Sequence, residues 1–180
     1  MSRVARDLPW DSAVVVRVPA FDQQIDALRG RFGLPRKPNG IRPHVTVIVP
    51  FLLRQQLGDG GALPALRELC ASVDRFDVTF ARTARFPHVL YLVPEPAEPF
   101  IALTHALTAR WPEVKPYAGR EKQVVPHLTV TTSRPPKVFH QVEEALRPLL
   151  PISVQVDAAQ LYLFDGRRWT EEAQLPFRAG

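Results

Sequence analysis

Two histidines in this chain each stand two residues ahead of a threonine, in Pro43-His44-Val45-Thr46-Val47 and Pro126-His127-Leu128-Thr129-Val130. With five histidines and nine threonines, about 0.25 His-x-Thr pairs are expected by chance. Two copies, each with a proline before it and a valine behind it, are hard to obtain by accident. Imidazole titrates near neutral pH, so one neutral ring can accept a proton while a charged one donates. Such a pair can take a proton from water and deliver one to a leaving oxygen within a single in-line displacement. Threonine hydroxyls beside them can hydrogen-bond the nonbridging oxygens of a phosphoryl group, best in a partly dehydrated groove. This chemistry requires no metal and no cofactor. The competing reading is a pair of satisfied strand histidines, with the threonines present for β-propensity alone.

For these groups to meet, each motif must lie on a strand and the two strands must face one another. Side chains alternate across a strand, so His44, Thr46 and Ile48 are expected on one face and Val45, Val47 and Val49 on the other. In the second copy His127, Thr129 and Thr131 share a face, and Leu128, Val130 and Thr132 oppose them. Around the motifs the pattern predicts strands over 12–18, 45–49, 76–84, 89–93, 124–132, 152–156, 159–164 and 169–177. Apolar spacing predicts helices over 21–32, 63–73, 96–111 and 138–150, the first stopped by Gly33. Hairpins interrupt the alternation, which points to α+β layers rather than a doubly wound parallel sheet. The motif histidines are 83 residues apart (127 − 44), nearly half of the 180 residues. A duplicated lobe is the simplest account. Residues 1–180 then form a single bilobal domain, with motif 44–47 in one lobe and motif 127–130 in the other.

Other residues suit an anionic partner. Arg42 precedes the first motif at what would be the rim of the cleft. Tyr117, Arg120 and Lys122 form a basic and aromatic loop ahead of the second, and nucleic-acid ends are held by such stacking and charge. Trp169, after Arg167-Arg168, has the ring to stack a base, although hairpin packing is the better account of it. Taken singly, each of these residues also fits an ordinary solvated surface. The net charge of +5 and pI near 9.9 agree with a phosphate ester or RNA as partner without requiring one. His88, His105 and His140 lack a following threonine and read as structural or surface residues. Cys70 lies on the apolar side of a helix and, as the single cysteine, allows neither an intrachain disulfide nor a cysteine metal cluster. The zinc-protease helix motif, the phosphate-binding Gly-Lys-Ser/Thr loop and the dinucleotide fingerprint are absent. The start of the chain lacks the apolar core of a secretory signal, and no apolar run would span a bilayer, so a cytoplasmic monomer is the default expectation.

The paired motifs resemble those of the 2H phosphoesterase superfamily, and within it the bacterial 2′-5′ RNA ligase-like branch. The stretch His44-Val45-Thr46-Val47-Ile48-Val49-Pro50-Phe51 is similar to that branch's first motif, and Phe86–Leu92 and Pro116–Arg120 also look familial. The likeness spans roughly residues 12–177. Both motifs depart from the family pattern in ending on valine, and Thr131-Thr132-Ser133 delays the next basic residue to Arg134. The resemblance implies an α+β, bilobal fold with pseudo-twofold symmetry, in which two antiparallel sheets flanked by helices surround a central cleft. It also implies hydrolysis of a 2′,3′-cyclic phosphate on RNA ends or nucleotides, with His44 and His127 as acid and base and Thr46 and Thr129 on the phosphate. Which histidine takes which role depends on how the substrate lies; the preferred assignment has His127 activating water and His44 protonating the leaving oxygen. Two other functions fit the same residues: joining RNA ends through a 2′-5′ bond, and binding a nucleotide or RNA end without turnover.

Overall fold

The β-branched run Ala13–Val16 forms the middle of strand β1 (Ser12–Arg17), the first element of a computed structural model that describes residues 12–34, 40–58, 61–119, 123–132 and 135–179. Helix α1 (Asp22–Phe32) follows, with Ile25 and Leu28 buried, and it ends at Gly33 in the left-handed region at φ 57°. An L side chain is disfavoured in that conformation, so glycine is the natural stop. Strand β2 (His44–Ile48) carries the first motif and leads through the short helix α2 (Arg54–Leu57), which the sequence pattern did not predict, to α3 (Ala62–Ala71). The hairpin of β3 (Phe76–Phe86) and β4 (Val89–Glu95) comes next, followed by α4 (Glu98–Arg110). Strand β5 (Leu128–Thr132) carries the second motif, and α5 (Pro136–Leu146) follows it. Strands β6 (Ile152–Val156), β7 (Ala158–Phe164) and β8 (Trp169–Pro176) close the chain.

The strands make one antiparallel sheet of eight, in the order β6-β3-β4-β5-β2-β1-β7-β8. The expectation of two separate sheets is therefore corrected. The two motif strands are hydrogen-bonded neighbours at the centre, joined where Val45 pairs with Leu128. Pairing them removes two exposed edges that separate sheets would leave open. The second motif strand is also shorter than the predicted 124–132, because pairing starts only after Pro126 and His127.

One face of the sheet meets the helices. Val14, Val16, Val45, Leu92 and Leu128 join Ile25 of α1, Leu66 of α3, Phe100 and Leu103 of α4 and Val142 of α5 in a single core. Cys70 lies in it, fully buried, and burial pushes its thiol pKa up to about 12. Alternation sends the intervening side chains of β1, β2 and β5 to the other face, which carries both motifs. That alternation breaks soon after each motif threonine. Register slips in β2 between Thr46, opposite Val15, and Ile48, opposite Val14. It slips in β5 between Thr129, opposite Tyr91, and Thr131, opposite Leu90. The unpaired residues are Val47 and Val130, again 83 apart (130 − 47). Each bulge turns the following residue inward, so Ile48 and Thr131 are buried rather than sharing the motif face as strict alternation predicts.

Candidate active site

Val45 and Leu128 point into the core from the central strand pair. One residue out on either side, antiparallel register sets His44 across from Thr129 and Thr46 across from His127, all on the opposite face. Cβ atoms directly across such a ladder are about 4.5–5.5 Å apart, and the diagonal pair, here His44 and His127, about 7–8 Å. The two imidazoles and two hydroxyls thus occupy alternate corners of a small rectangle. All four side chains are half-buried, and the prolines ahead of them, Pro43 and Pro126, are buried. The rings are neither far apart nor walled off.

The two histidines are held in the same way. His44 Nδ1 lies 2.7 Å from the carbonyl oxygen of Arg42, and His127 Nδ1 lies 2.8 Å from that of Val125. A carbonyl oxygen only accepts, so each Nδ1 must carry the proton. In the neutral ring the lone pair is then on Nε2, at the outer end of the side chain. The restraint fixes the tautomer and aims the ring, as a base or an acid requires.

Their surroundings differ. The Phe86 ring meets His127 edge-on at 5.2 Å and 89°, and Tyr91 lies 5.4 Å from it. Phe86 and Tyr91 stack on each other at 4.4 Å. Burial lowers the His127 pKa below the usual 6.5, outweighing the opposing effect of the bond to Val125. An open hollow of about 240 Å³ adjoins it, lined by Phe86, Tyr117, Gln123, Val125 and His127. On the His44 side the hollow is smaller, about 60 Å³, and is lined by Arg29, Ile41, Pro43, His44 and residues 129–132. Among the described residues, the buried Thr131 hydroxyl has no hydrogen-bond partner.

The structure places Tyr117 in the wall of the His127 hollow. Its backbone sits at φ 51°, unusual for a residue with a side chain, and its N–H donates to the Val49 carbonyl at 2.7 Å. The Arg42 guanidinium is engaged elsewhere: it pairs with Asp22 at 3.0 Å and Asp26 at 3.2 Å, both on α1. What Arg42 gives the site is its carbonyl. Trp169 lies in β8, three strands from β2, where it packs with Phe164 at 5.2 Å and against the buried cluster of Ala13, Val15 and Tyr162. Arg120 and Lys122 lie outside the described residues. Phe86 and Tyr91, within the stretch that resembles the family, were given no place beside His127 by the sequence; their placement either side of the β3–β4 turn was the available signal. Thr104 of α4 was missed too. It is buried, and its hydroxyl donates toward the Val47 carbonyl at 2.9 Å and its own helix's Phe100 carbonyl at 3.0 Å. It therefore braces the β2 bulge from the far face. Among the described residues, no group of three or more His, Cys, Asp or Glu side chains is placed to hold a metal ion.

Comparison with protein families matches residues 18–168 to the model described as the 2′-5′ RNA ligase superfamily. The chain belongs to that superfamily. Comparison with the curated proteins found no match. Among solved structures, this member of the superfamily is similar to TT0787 of Thermus thermophilus, with 20% identity and a TM-score of 0.62 over 94% of this chain and 98% of that one. It is also similar to E. coli LigT complexed with 3′-AMP, with 17% identity and a TM-score of 0.61 over 93% and 98% of the respective chains. The same LigT complexed with NADP+ gives a TM-score of 0.59 at 17% identity, over 94% and 98%. At these identities the likeness is one of fold. Among the described residues, no helix of this superfamily member is long and apolar enough to cross a membrane.

Proposed function

We infer that this chain is a phosphoesterase that opens 2′,3′-cyclic phosphates on RNA ends or nucleotides by histidine acid–base catalysis, without a metal. The observation that carries the reading is the Val45–Leu128 pairing, which puts two imidazoles with Nδ1 tied back and two hydroxyls on one face of the central strands. In this reading the halves of the chain act as two lobes of one domain, each supplying one motif. Neutral His127 Nε2 takes a proton from water as the water oxygen bonds phosphorus. The ring P–O bond breaks on the opposite side, and protonated His44 gives its Nε2 proton to the departing sugar oxygen. The hydroxyls of Thr46 and Thr129 donate to the nonbridging oxygens, where charge builds in the transition state. The product is a phosphomonoester; His127 leaves protonated and His44 neutral, and exchange with water resets both. The depressed pKa of His127 supports its role as the base. The LigT complex with 3′-AMP supports a nucleotide ligand.

The superfamily description favours one further reading, in which a 5′-hydroxyl replaces water and the product is a 2′-5′ bond. One experiment addresses both. Nucleoside 2′,3′-cyclic phosphates, oligoribonucleotides with cyclic-phosphate ends, and the same ends paired with 5′-hydroxyl fragments are incubated with and without chelator. Products are assigned by phosphorus NMR. Hydrolysis that survives chelation and disappears in the His44→Ala, His127→Ala double variant is expected. Full activity in that variant would remove the proposal, joined product without monoester would select ligation, and binding without turnover would leave only a binding module.

A further inference from the structure

Neither β2 (His44–Ile48) nor β5 (Leu128–Thr132) carries a lysine or an arginine. A permanent cation at the motif rectangle must therefore come from another element. Arg29, in the last turn of α1, lines the His44 hollow together with His44, Thr129 and Thr132. Its backbone is fixed there, because its carbonyl accepts the N–H groups of Gly33 and Leu34 where the helix ends. The Arg29 side chain is 19% exposed, against 58% for that of Arg42. A charge withdrawn from water to that degree calls for a counter-charge. A guanidinium has five donors. Among the described residues, that of Arg29 has one partner, Asp26 at 3.3 Å. Asp26 is itself exposed and shared with Arg42. Three arginines, Arg17, Arg29 and Arg42, thus divide the two carboxylates of Asp22 and Asp26, which leaves one positive charge in excess. Of the three, Arg29 is the one in the wall of the hollow. At about 60 Å³ the hollow is far smaller than the about 300–1,000 Å³ of pockets for whole small molecules. It has room for a few waters or one oxyanion group.

We propose that Arg29 is a phosphate-binding residue, its guanidinium meeting the nonbridging oxygen that Thr129 holds on the His44 side of the rectangle. The inference rests on the phosphoesterase reading and deepens it by naming the cation. A cyclic phosphodiester brings one negative charge to this cation, and the monoester product brings about 1.5–2 at pH 7. Two parallel N–H groups of a guanidinium match two phosphate oxygens, which an ammonium does not reproduce. The competing account is a helix-end arginine that serves the α1 dipole and the pair with Asp26 alone.

The test measures binding of inorganic phosphate by isothermal titration calorimetry, alongside kcat/KM for a nucleoside 2′,3′-cyclic phosphate. Arg29→Gln should weaken phosphate binding about tenfold or more, the reach of one charge-assisted contact, and lower kcat/KM by a similar factor. Arg29→Lys keeps the charge without the fork and should lie between Arg29→Gln and the wild type. Asp26→Asn removes the ion pair and leaves the guanidinium to the anion, so it should bind phosphate at least as tightly as the wild type. Circular dichroism and urea midpoints check that each variant is folded under the assay conditions. If Arg29→Gln does not fold, Arg29→Lys decides, an unchanged phosphate affinity overturning the proposal. Unchanged affinity in folded Arg29→Gln, with cyclic phosphate still hydrolysed, overturns the role of Arg29 and leaves the catalytic reading standing. Equal losses in Arg29→Gln and Asp26→Asn trace the effect to the ion pair and overturn it too, as does a wild type that binds no phosphate. Phosphate binding that depends on Arg29, in a wild type that hydrolyses no cyclic phosphate, upholds the anion site and removes the catalytic reading.

Discussion

Phe86 meets the imidazole of His127 edge-on, 5.2 Å between ring centres, and covers part of it from water. Removing water from around a histidine disfavours its charged form. The His127 pKa therefore lies below the usual 6.5, with burial as the main cause. If His127 is the base, the acidic limb of kcat/KM should fall below pH 6.5 and coincide with its titration by NMR. The Phe86→Ala variant admits water and should move both the limb and the titration upward toward 6.5, whereas Phe86→Leu should leave them low. Stability follows the same linkage. Below the unfolded-state pKa the unfolded ring binds a proton that the folded ring resists. The contribution is thus fully present above that pKa and is lost as pH falls through the folded value. Urea midpoints should drop on acidification less in His127→Leu than in the wild type. A limb that stays put in Phe86→Ala would separate the aromatic contact from the base.

The sequence exposed the motif pair because its signal is local: residue type, spacing and a flanking proline. It exposed most elements for the same reason, since the apolar spacing of α1 and the β-branched run of β1 are read within one window. It did not expose the joining of β2 to β5, which depends on one pair 83 residues apart (128 − 45). Nor did it show the bulges at Val47 and Val130, because an inserted residue leaves no mark on a valine-rich strand. Strict alternation consequently put Ile48 and Thr131 on the wrong face. The aromatic surroundings of His127 were missed for a related reason. Tyr91 reaches it through the register of β4 against β5, and Phe86 through the β3–β4 hairpin, stacked on Tyr91.

The two motif threonines make a different prediction from the two histidines. Removing either imidazole, as in His44→Ala or His127→Ala, should lower kcat about 10²–10⁴-fold, the usual reach of one acid–base group. Thr46→Val and Thr129→Val remove a donor aimed where charge develops, and each should cost about 10²–10³ in kcat with little change in KM. Groups that act together are not additive, so the double histidine variant should be scarcely worse than the poorer single one. Single-turnover kinetics on a cyclic nucleotide read these numbers directly. A loss confined to KM in either threonine variant would mean that the hydroxyl binds substrate and transition state alike.

Arg42 separates backbone from side chain. Its guanidinium is tied to Asp22 and Asp26 on α1, and the hydrogen bond to Asp22 is the main reason its pKa is raised. Its carbonyl holds His44. The Arg42→Ala variant keeps that carbonyl, so kcat/KM on a cyclic nucleotide should change by no more than about threefold, as for an exposed ion pair with no part in the site. A loss of a hundredfold would instead show the guanidinium reaching the substrate.

Thr104 tests whether the β2 bulge matters to the site on the opposite face of the sheet. Its hydroxyl is buried against the Val47 carbonyl, and Val47 directly follows Thr46. Valine at this position keeps the shape and removes the donor. A buried acceptor left without its donor costs about 1–3 kcal/mol, so Thr104→Val should unfold at correspondingly lower urea. Serine retains the hydroxyl and loses a methyl group, and Thr104→Ser should recover much of that stability. If the bulge also sets the aim of Thr46, kcat should fall in Thr104→Val under conditions where the variant is fully folded, and return in Thr104→Ser. Equal kcat in all three proteins, with only the unfolding midpoint moved, would make Thr104 a support of the core and nothing more.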